Sequence, residues 1–391
     1  MPDSISRREF TRRASALAVA PAALDLGALS ASRGAEPEPT QASPVPIWDG
    51  YADAMVIDCL GSPGPFNVMD RMGRPLTSEM VGNARQSGMT GISVTLNAGG
   101  AGHSAFDATV AGIAYFTREV ATHPGVFVQV RTVADLHEAK RTGHVGLIFS
   151  FQDTTMLEGQ VERLDLFHDF GVKIIQLTYN LRNEVGDGCL ETGNGGLSKF
   201  GRDVVARMNE LGIGVDTSHC GQRTTAEAIA ASTQPVAITH SACQAVYVHP
   251  RSKRDEELRA MADGGGVIGI YLMPFLNAEG PATTEHLMQH IEHAVDVCGE
   301  DHVGIGSDNS TTPTDATPEY RAGLEAFAAE RQRLGIGAPR EYELLFVPEL
   351  NTPRRMEQIA DALLARGHSE SRVEKIIGGN WERYFRDVWR G

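Results

Sequence analysis

Ile213-Gly214-Val215-Asp216-Thr217-Ser218-His219 and Pro235-Val236-Ala237-Ile238-Thr239-His240 decide the fold of this chain, and Val303-Gly304-Ile305-Gly306-Ser307-Asp308 repeats their pattern. Each is a short apolar, β-branched run that reads as a fully buried parallel strand. Each ends in a residue able to bind a metal or move a proton. His219 and His240 stand 21 residues apart, the length of one helix plus one strand. In a barrel of parallel strands the C-terminal strand ends share one face, the catalytic one. This spacing gathers two imidazoles and a carboxylate, the chemistry of a metal site.

Working outward, strands are expected at 55–59, 91–96, 145–151, 172–178, 213–217, 236–239, 267–272 and 303–307. Helical patterns fall between them, for example at 200–211, 224–231, 255–262 and 285–298. Gly212 and Gly299 follow helix ends, where a left-handed cap is wanted. Eight strands with intervening helices give a (β/α)8 TIM barrel. An open doubly wound sheet fits less well, because no Gly-x-Gly-x-x-Gly loop follows the first strand. Residues 310–351 form an insertion after the last strand, long enough for a lid or a dimer contact, and the tail from Pro353 reads as helices packed outside the barrel.

The chain of 391 residues can bury a large core, and its 41% apolar and 22% charged content is that of a globular protein. A net charge of −15 disfavours nucleic acid or an anionic membrane surface as partner. No apolar run after the N-terminal segment is long enough to span a bilayer. Ser6-Arg7-Arg8-Glu9-Phe10-Thr11 precedes an Ala-rich stretch from Ala14 to Ala31. Residues 1–35 therefore read as a twin-arginine export signal, which predicts a periplasmic or secreted protein handled by the twin-arginine machinery. Residues 36–50 read as a Pro/Ser-rich linker and 51–391 as the barrel domain. The five cysteines (Cys59, Cys189, Cys220, Cys243 and Cys298) include no Cys-x-x-Cys pair, which argues against a thiolate metal site. Cys220 and Cys243 read as buried fillers, with pairing of the two as the other option.

The residues just past the strands form the expected rim: Asp58, Cys59 and Leu60, then Asn97, Gln152 and Asp153, Tyr179 and Asn180, His219, His240, and Asp308. His286, His290 and His293 share a helix at metal-clip spacing, but that helix needs its Leu287, Ile291 and Val295 face for the core. Arg251, in His249-Pro250-Arg251, follows the sixth strand and is suited to clamping a carboxylate.

At these residues the chain resembles the renal (membrane) dipeptidase family of metallopeptidases. The similarity is carried, in order, by Gln176-Leu-Thr-Tyr-Asn-Leu-Arg-Asn183, Gly186-Asp-Gly-Cys-Leu-Glu191, Asp216-Thr-Ser-His219, Thr239-His-Ser241, His249-Pro-Arg251, Gly306-Ser-Asp308 and Gly378-Gly-Asn380. The resemblance implies an amidohydrolase-type barrel with extra C-terminal helices, two zinc ions bridged by a glutamate, and dipeptide hydrolysis. It makes His219 and His240 ligands of the second zinc, Asp308 the proton carrier and Arg251 the holder of the substrate carboxylate. Tyr179 falls where many members have a histidine that faces the tetrahedral intermediate; its hydroxyl can donate there. A homodimer is expected by resemblance.

The first-zinc ligands depart from the family. Where the family reads Asp-Gly-His-Asn-Asp, this chain reads Asp58-Cys59-Leu60-Gly61-Ser62, so Leu60 and Ser62 replace two ligands, and the bridging glutamate is Gln152. Two dications within ~4 Å of each other need a carboxylate bridge. The expectation is one divalent metal, zinc by resemblance, on His219 and His240, in a dipeptidase-like hydrolase acting on a dipeptide or small amide. The alternative is a barrel without peptidase activity, serving a non-hydrolytic step or binding a metabolite.

Overall fold

The computed structural model describes residues 48–66, 74–96 and 104–390. The export segment, most of the linker and the rim residue Asn97 lie outside the described residues. Eight parallel strands form the expected barrel: β1 (Ile57–Asp58), β2 (Gly91–Thr95), β3 (Val145–Phe151), β4 (Val172–Gln176), β5 (Gly214–Asp216), β6 (Val236–Ser241), β7 (Val267–Ile270) and β8 (Val303–Ile305). Neighbours along the chain are neighbours in the sheet, with Ile175 beside Val215, Val215 beside Val236 and Ile305 beside Ile270. All seven residues of β3 are buried, as expected for a strand covered on both faces.

The seam between β1 and β8 is closed by single bonds and not by a full ladder. Cys59 N donates to Ile305 O at 3.0 Å and Asp308 N to Leu60 O at 2.8 Å. Beyond them the short strands Gly61–Ser62 and Asn309–Ser310 pair in parallel. Both escaped the sequence reading, as did a third strand, Phe127–Gln129, which pairs with the start of β3. Its three residues are too few to show a period.

The outer helices run close to expectation, at Lys199–Leu211, Gln222–Ala231, Asp255–Asp263 and Thr284–Cys298. Gly212 takes the left-handed cap (φ 71°, ψ 36°), whereas Gly299 has positive φ with extended ψ (82°, 158°) and leads directly into a 3-10 turn. Among the described residues no helix is long and apolar enough to cross a membrane.

Two boundaries differ from expectation. The packed chain begins before residue 51: Trp48 is buried, its N–H donates to Asp361 Oδ1 at 3.1 Å, and a 3-10 turn (Asp49–Ala52) follows. The C-terminal tail is not all external. On the last helix, Asn380–Val388, the side chains of Trp381, Tyr384, Phe385 and Val388 are buried among Ile57, Ile148, Ile174, Ala237 and Val267. Several of these lie near the starts of their strands, so this helix plugs the end of the barrel opposite the site. Trp381 Nε1 donates to Ile305 O at 3.0 Å, satisfying its one polar group.

Candidate functional site

The site is built where β5 and β6 end. Asp216, at the end of β5, is buried and receives four hydrogen bonds. Ser218 N (3.0 Å), Ser218 Oγ (2.5 Å) and Thr239 N (2.9 Å) donate to Oδ1, and Thr239 Oγ1 (2.7 Å) donates to Oδ2. Burial pushes the Asp216 carboxyl upward, and these donors oppose it. Because the Thr239 hydroxyl hydrogen is spent on Asp216, its oxygen is left to accept from His240 Nδ1 at 2.8 Å. His219 Nδ1 donates to Asn180 Oδ1 at 2.6 Å. The Asn180 amide is oriented in turn by donation from its Nδ2 to Ile336 O at 3.0 Å.

Both Nδ1 atoms thus carry the hydrogen, and both Nε2 atoms expose lone pairs. Those two Nε2 atoms face each other at 3.0 Å. Burial holds both imidazoles well below their usual pKa, with the Arg251 charge adding to it, so both are neutral at pH 7. Two acceptors pressed together in a buried site are unfavourable unless a cation or proton lies between them. Bonds of ~2.0–2.1 Å to one tetrahedral zinc would set two nitrogens ~3.3 Å apart, close to this separation.

Three further groups surround this pair. Arg251, 2% exposed, donates from Nη1 to Ser218 O (2.5 Å) and from Nη2 to His240 O (3.2 Å). Among the described residues it forms no ion pair, so a buried charge retains donors for an anion. Asp308 sits at φ 59°, a left-handed conformation uncommon for a residue with a side chain. Burial raises its carboxyl to about 7, against the Arg251 charge and with help from Asp58. Gly306, two residues earlier, lets β8 close on β6, since a Cβ there would collide with Thr239 O. Tyr179 stacks on His219 with centroids 4.2 Å apart and planes 22° from parallel. Lys253, buried, ties down the turn that carries His219 through Thr217 O (2.7 Å) and Cys220 O (2.9 Å).

The first half of a two-metal site does not fit. Leu60 is 2% exposed and apolar, and Ser62 Oγ accepts locally from Gly64 N at 3.1 Å. Asp58 faces the strand seam: Ser307 N (2.7 Å) and Ser307 Oγ (2.5 Å) donate to it. The buried Arg355 donates to the same Ser307 Oγ at 3.3 Å and supplies the opposing charge. Gln152 lines the cavity with a neutral side chain. Among the described residues no three His, Cys, Asp or Glu side chains are grouped to hold a metal. His219 and His240 are the two side chains here whose free nitrogens could hold a cation.

His286, His290 and His293 do other work. His286 caps its helix through Thr283, His290 receives Cys243 N and reaches Leu276 O at 3.0 Å, and His293 pairs with Asp255 at 2.9 Å. All five cysteines are free thiols, with Cys220 and Cys243 buried.

The site opens into a cavity of about 50 Å³, lined among others by Gln152, Tyr179, His219, Arg251 and Asp308. The inserted segment roofs it. Phe327 and Arg331 of the helix Pro318–Arg333, with Ala338, Glu341 and Leu345 beyond, complete the wall. The roof is fastened by His249 Nε2 to Pro339 O (3.0 Å), Arg340 Nε to Pro274 O (2.9 Å) and Asn309 Nδ2 to Leu345 O (3.1 Å). Arg331, Glu341 and the tautomer-setting role of Asn180 were not anticipated. The available signal was the spacing Leu324, Ala328, Arg331, which puts an arginine on the one apolar stripe of a polar helix.

Comparison with known proteins agrees with this architecture. Residues 76–327 match the model of the membrane dipeptidase family, peptidase family M19. A solved amidohydrolase from Pseudomonas aeruginosa is 32% identical, superposes with a TM-score of 0.74, and is matched over 87% of this chain and 98% of its own. Dipeptidase verJ of Clonostachys rogersoniana is 28% identical over 265 residues, 66% of this chain and 67% of that protein. A metallo peptidase from Rhodobacter sphaeroides, solved with a phosphinate mimic of the dipeptide L-Ala-D-Ala, shares the fold at 19% identity, a TM-score of 0.68 and coverage of 86% and 99%. The chain belongs to the membrane dipeptidase family, whose members are metal-dependent hydrolases.

Proposed function

We propose that this family member is an exported, mononuclear metallohydrolase that cleaves dipeptides or related small amides, with His219 and His240 as its metal ligands. The observation that carries the reading is the pair of Nε2 lone pairs converging at 3.0 Å, each fixed by a partner on Nδ1. Outer partners of this kind orient metal-binding histidines and raise their basicity. A divalent ion held there, zinc by family, supplies Lewis acidity and lowers the pKa of a bound water.

The protein's own groups divide the remaining work. Arg251 binds the substrate's terminal carboxylate through its unspent donors, which also neutralises a buried charge. Asp308, poised at about 7, takes the proton of the attacking water and returns it to the departing amine nitrogen. The Tyr179 hydroxyl faces the carbonyl oxygen as it becomes negative. A dipeptide substrate is supported by the family match and by a relative named a dipeptidase. The reading without hydrolysis rested on the replaced Leu60, Ser62 and Gln152, and the paired imidazoles give it no support.

The test is turnover of a dipeptide panel, including D-residues at the C-terminal side, by zinc-loaded protein. Asp308→Asn is expected to lower kcat by about 10²–10⁴-fold at little change in KM. Arg251→Met is expected to act on kcat/KM and to spare substrates lacking a free carboxylate. A wild-type protein that cleaves no member of the panel, or an Asp308→Asn variant of full activity, contradicts the reading.

A further inference from the structure

We propose that Arg331, on the roof helix, is a positioning residue for Tyr179, so that the roof completes the oxyanion-binding group when it is seated. This rests on the reading above, in which Tyr179 donates to the developing oxyanion.

Arg331 is the one charged residue among the three buried positions of its helix, with Leu324 and Ala328. Its guanidinium is held by Glu341 in a two-point pair, Nε to Oε2 at 2.7 Å and Nη2 to Oε1 at 3.0 Å, and Nη2 also reaches Ile336 O at 3.3 Å. Glu341 Oε1 further accepts from Ala338 N at 3.0 Å. Both side chains are under 10% exposed. A buried ion pair of this type contributes little net stability compared with apolar residues of the same size. Its place on the cavity wall indicates a different role.

The guanidinium carbon lies over the Tyr179 ring, 5.9 Å from its centroid, and the same ring stacks on His219. Tyr179 therefore sits between a residue of the roof and the metal-facing histidine. The Arg331 charge, opposed by a smaller effect of Glu341, favours build-up of negative charge at the phenol hydroxyl and strengthens the hydrogen bond it donates as charge grows on the carbonyl oxygen. That benefit is larger in the transition state than in the bound substrate, so its loss appears in kcat. Tyr179, Arg331 and Glu341 all line the cavity, so this contact lies on the wall that faces the substrate. With the inserted segment seated, Arg331 stands beside Tyr179 on the cavity wall.

The test compares wild type, the paired variant Arg331→Met with Glu341→Met, Tyr179→Phe, and all three changes together. The paired variant replaces the buried ion pair by apolar side chains, so it is expected to fold with little change in Tm. It is expected to lose about tenfold in kcat with KM within threefold, and to weaken binding of a phosphinate dipeptide mimic by a similar factor. In the Tyr179→Phe background the same two changes are expected to cost nothing further. An equal loss in both backgrounds, a change confined to KM, or full activity overturns the inference, while Arg331→Lys is expected to recover part of the kcat. A wild type that neither cleaves dipeptides nor binds the phosphinate refutes the underlying reading as well. An active wild type matched by the paired variant refutes this inference alone.

Discussion

Replacing Asp216 by Asn changes one oxygen to an amide and should rewrite the protonation of a residue it does not touch. In the native chain Asp216 Oδ2 takes the Thr239 hydroxyl hydrogen at 2.7 Å, and Thr239 Oγ1 accepts from His240 Nδ1 at 2.8 Å. An Asn can keep the three donors on Oδ1 only by placing its oxygen there. Its NH2 then faces Thr239 Oγ1, and the hydroxyl hydrogen is expected to turn toward His240 Nδ1, because the other acceptor in reach, Ser218 Oγ at 3.1 Å, already receives His240 N. His240 becomes the Nε2–H tautomer, and that hydrogen points at His219 Nε2, 3.0 Å away. The pair now satisfies itself, and a metal must first expel a proton. Outer-partner substitutions of this kind cost about 10–100-fold in metal affinity, which is roughly 1.4–2.8 kcal/mol. The metal-free protein should lose about 1–3 kcal/mol, because the four bonds to a carboxylate become bonds to a neutral amide. The assay is zinc titration against a competing chromophoric chelator, with melting curves with and without zinc. A zinc affinity within twofold of wild type refutes the tautomer argument.

Other perturbations follow from the same geometry. Asn180→Leu strands His219 Nδ1–H in a buried site, and is expected to cost about 1–3 kcal/mol in denaturant unfolding and to weaken zinc binding. Asp308 must be ionised to accept a proton, so kcat/KM should rise with pH through about 7; a profile flat from pH 5 to 9 argues against its role as the base. The two buried histidines, depressed well below their usual pKa, are neutral when folded and protonated when unfolded below about 6.5. Metal-free protein should therefore lose stability as pH falls below that value, and a melting temperature unchanged between pH 7 and 5 would count against it. Trp381→Ala empties the barrel floor and removes one of the two donors to Ile305 O, for an expected loss of about 3–5 kcal/mol in a chemical melt.

The barrel was legible because each strand is a short buried apolar run between polar turns, and because 21 residues between His219 and His240 leave room for one helix. The rim positions followed from strand ends alone. The missing parts depend on partners far away in sequence. Trp381, Tyr384, Phe385 and Val388 show helical spacing, but nothing local says that the stripe enters the barrel floor. Arg331 and Glu341 look like solvated charges in a polar insertion, and only the fold buries them against Tyr179. Asn180 stood on the expected rim, yet its bond to His219 joins residues 39 positions apart. The departures at Leu60, Ser62 and Gln152 were readable in the sequence. The contacts among Asp58, Ser307 and Arg355 were not, because Arg355 arrives from beyond the insertion.

The most direct measurement is the metal content of wild type and His219→Ala, purified without chelator and equilibrated with zinc before elemental analysis. One tightly held divalent ion per chain, absent from the variant, is the expected result. Two ions per chain in wild type, or one that persists without His219, would contradict a single cation gripped by two imidazoles.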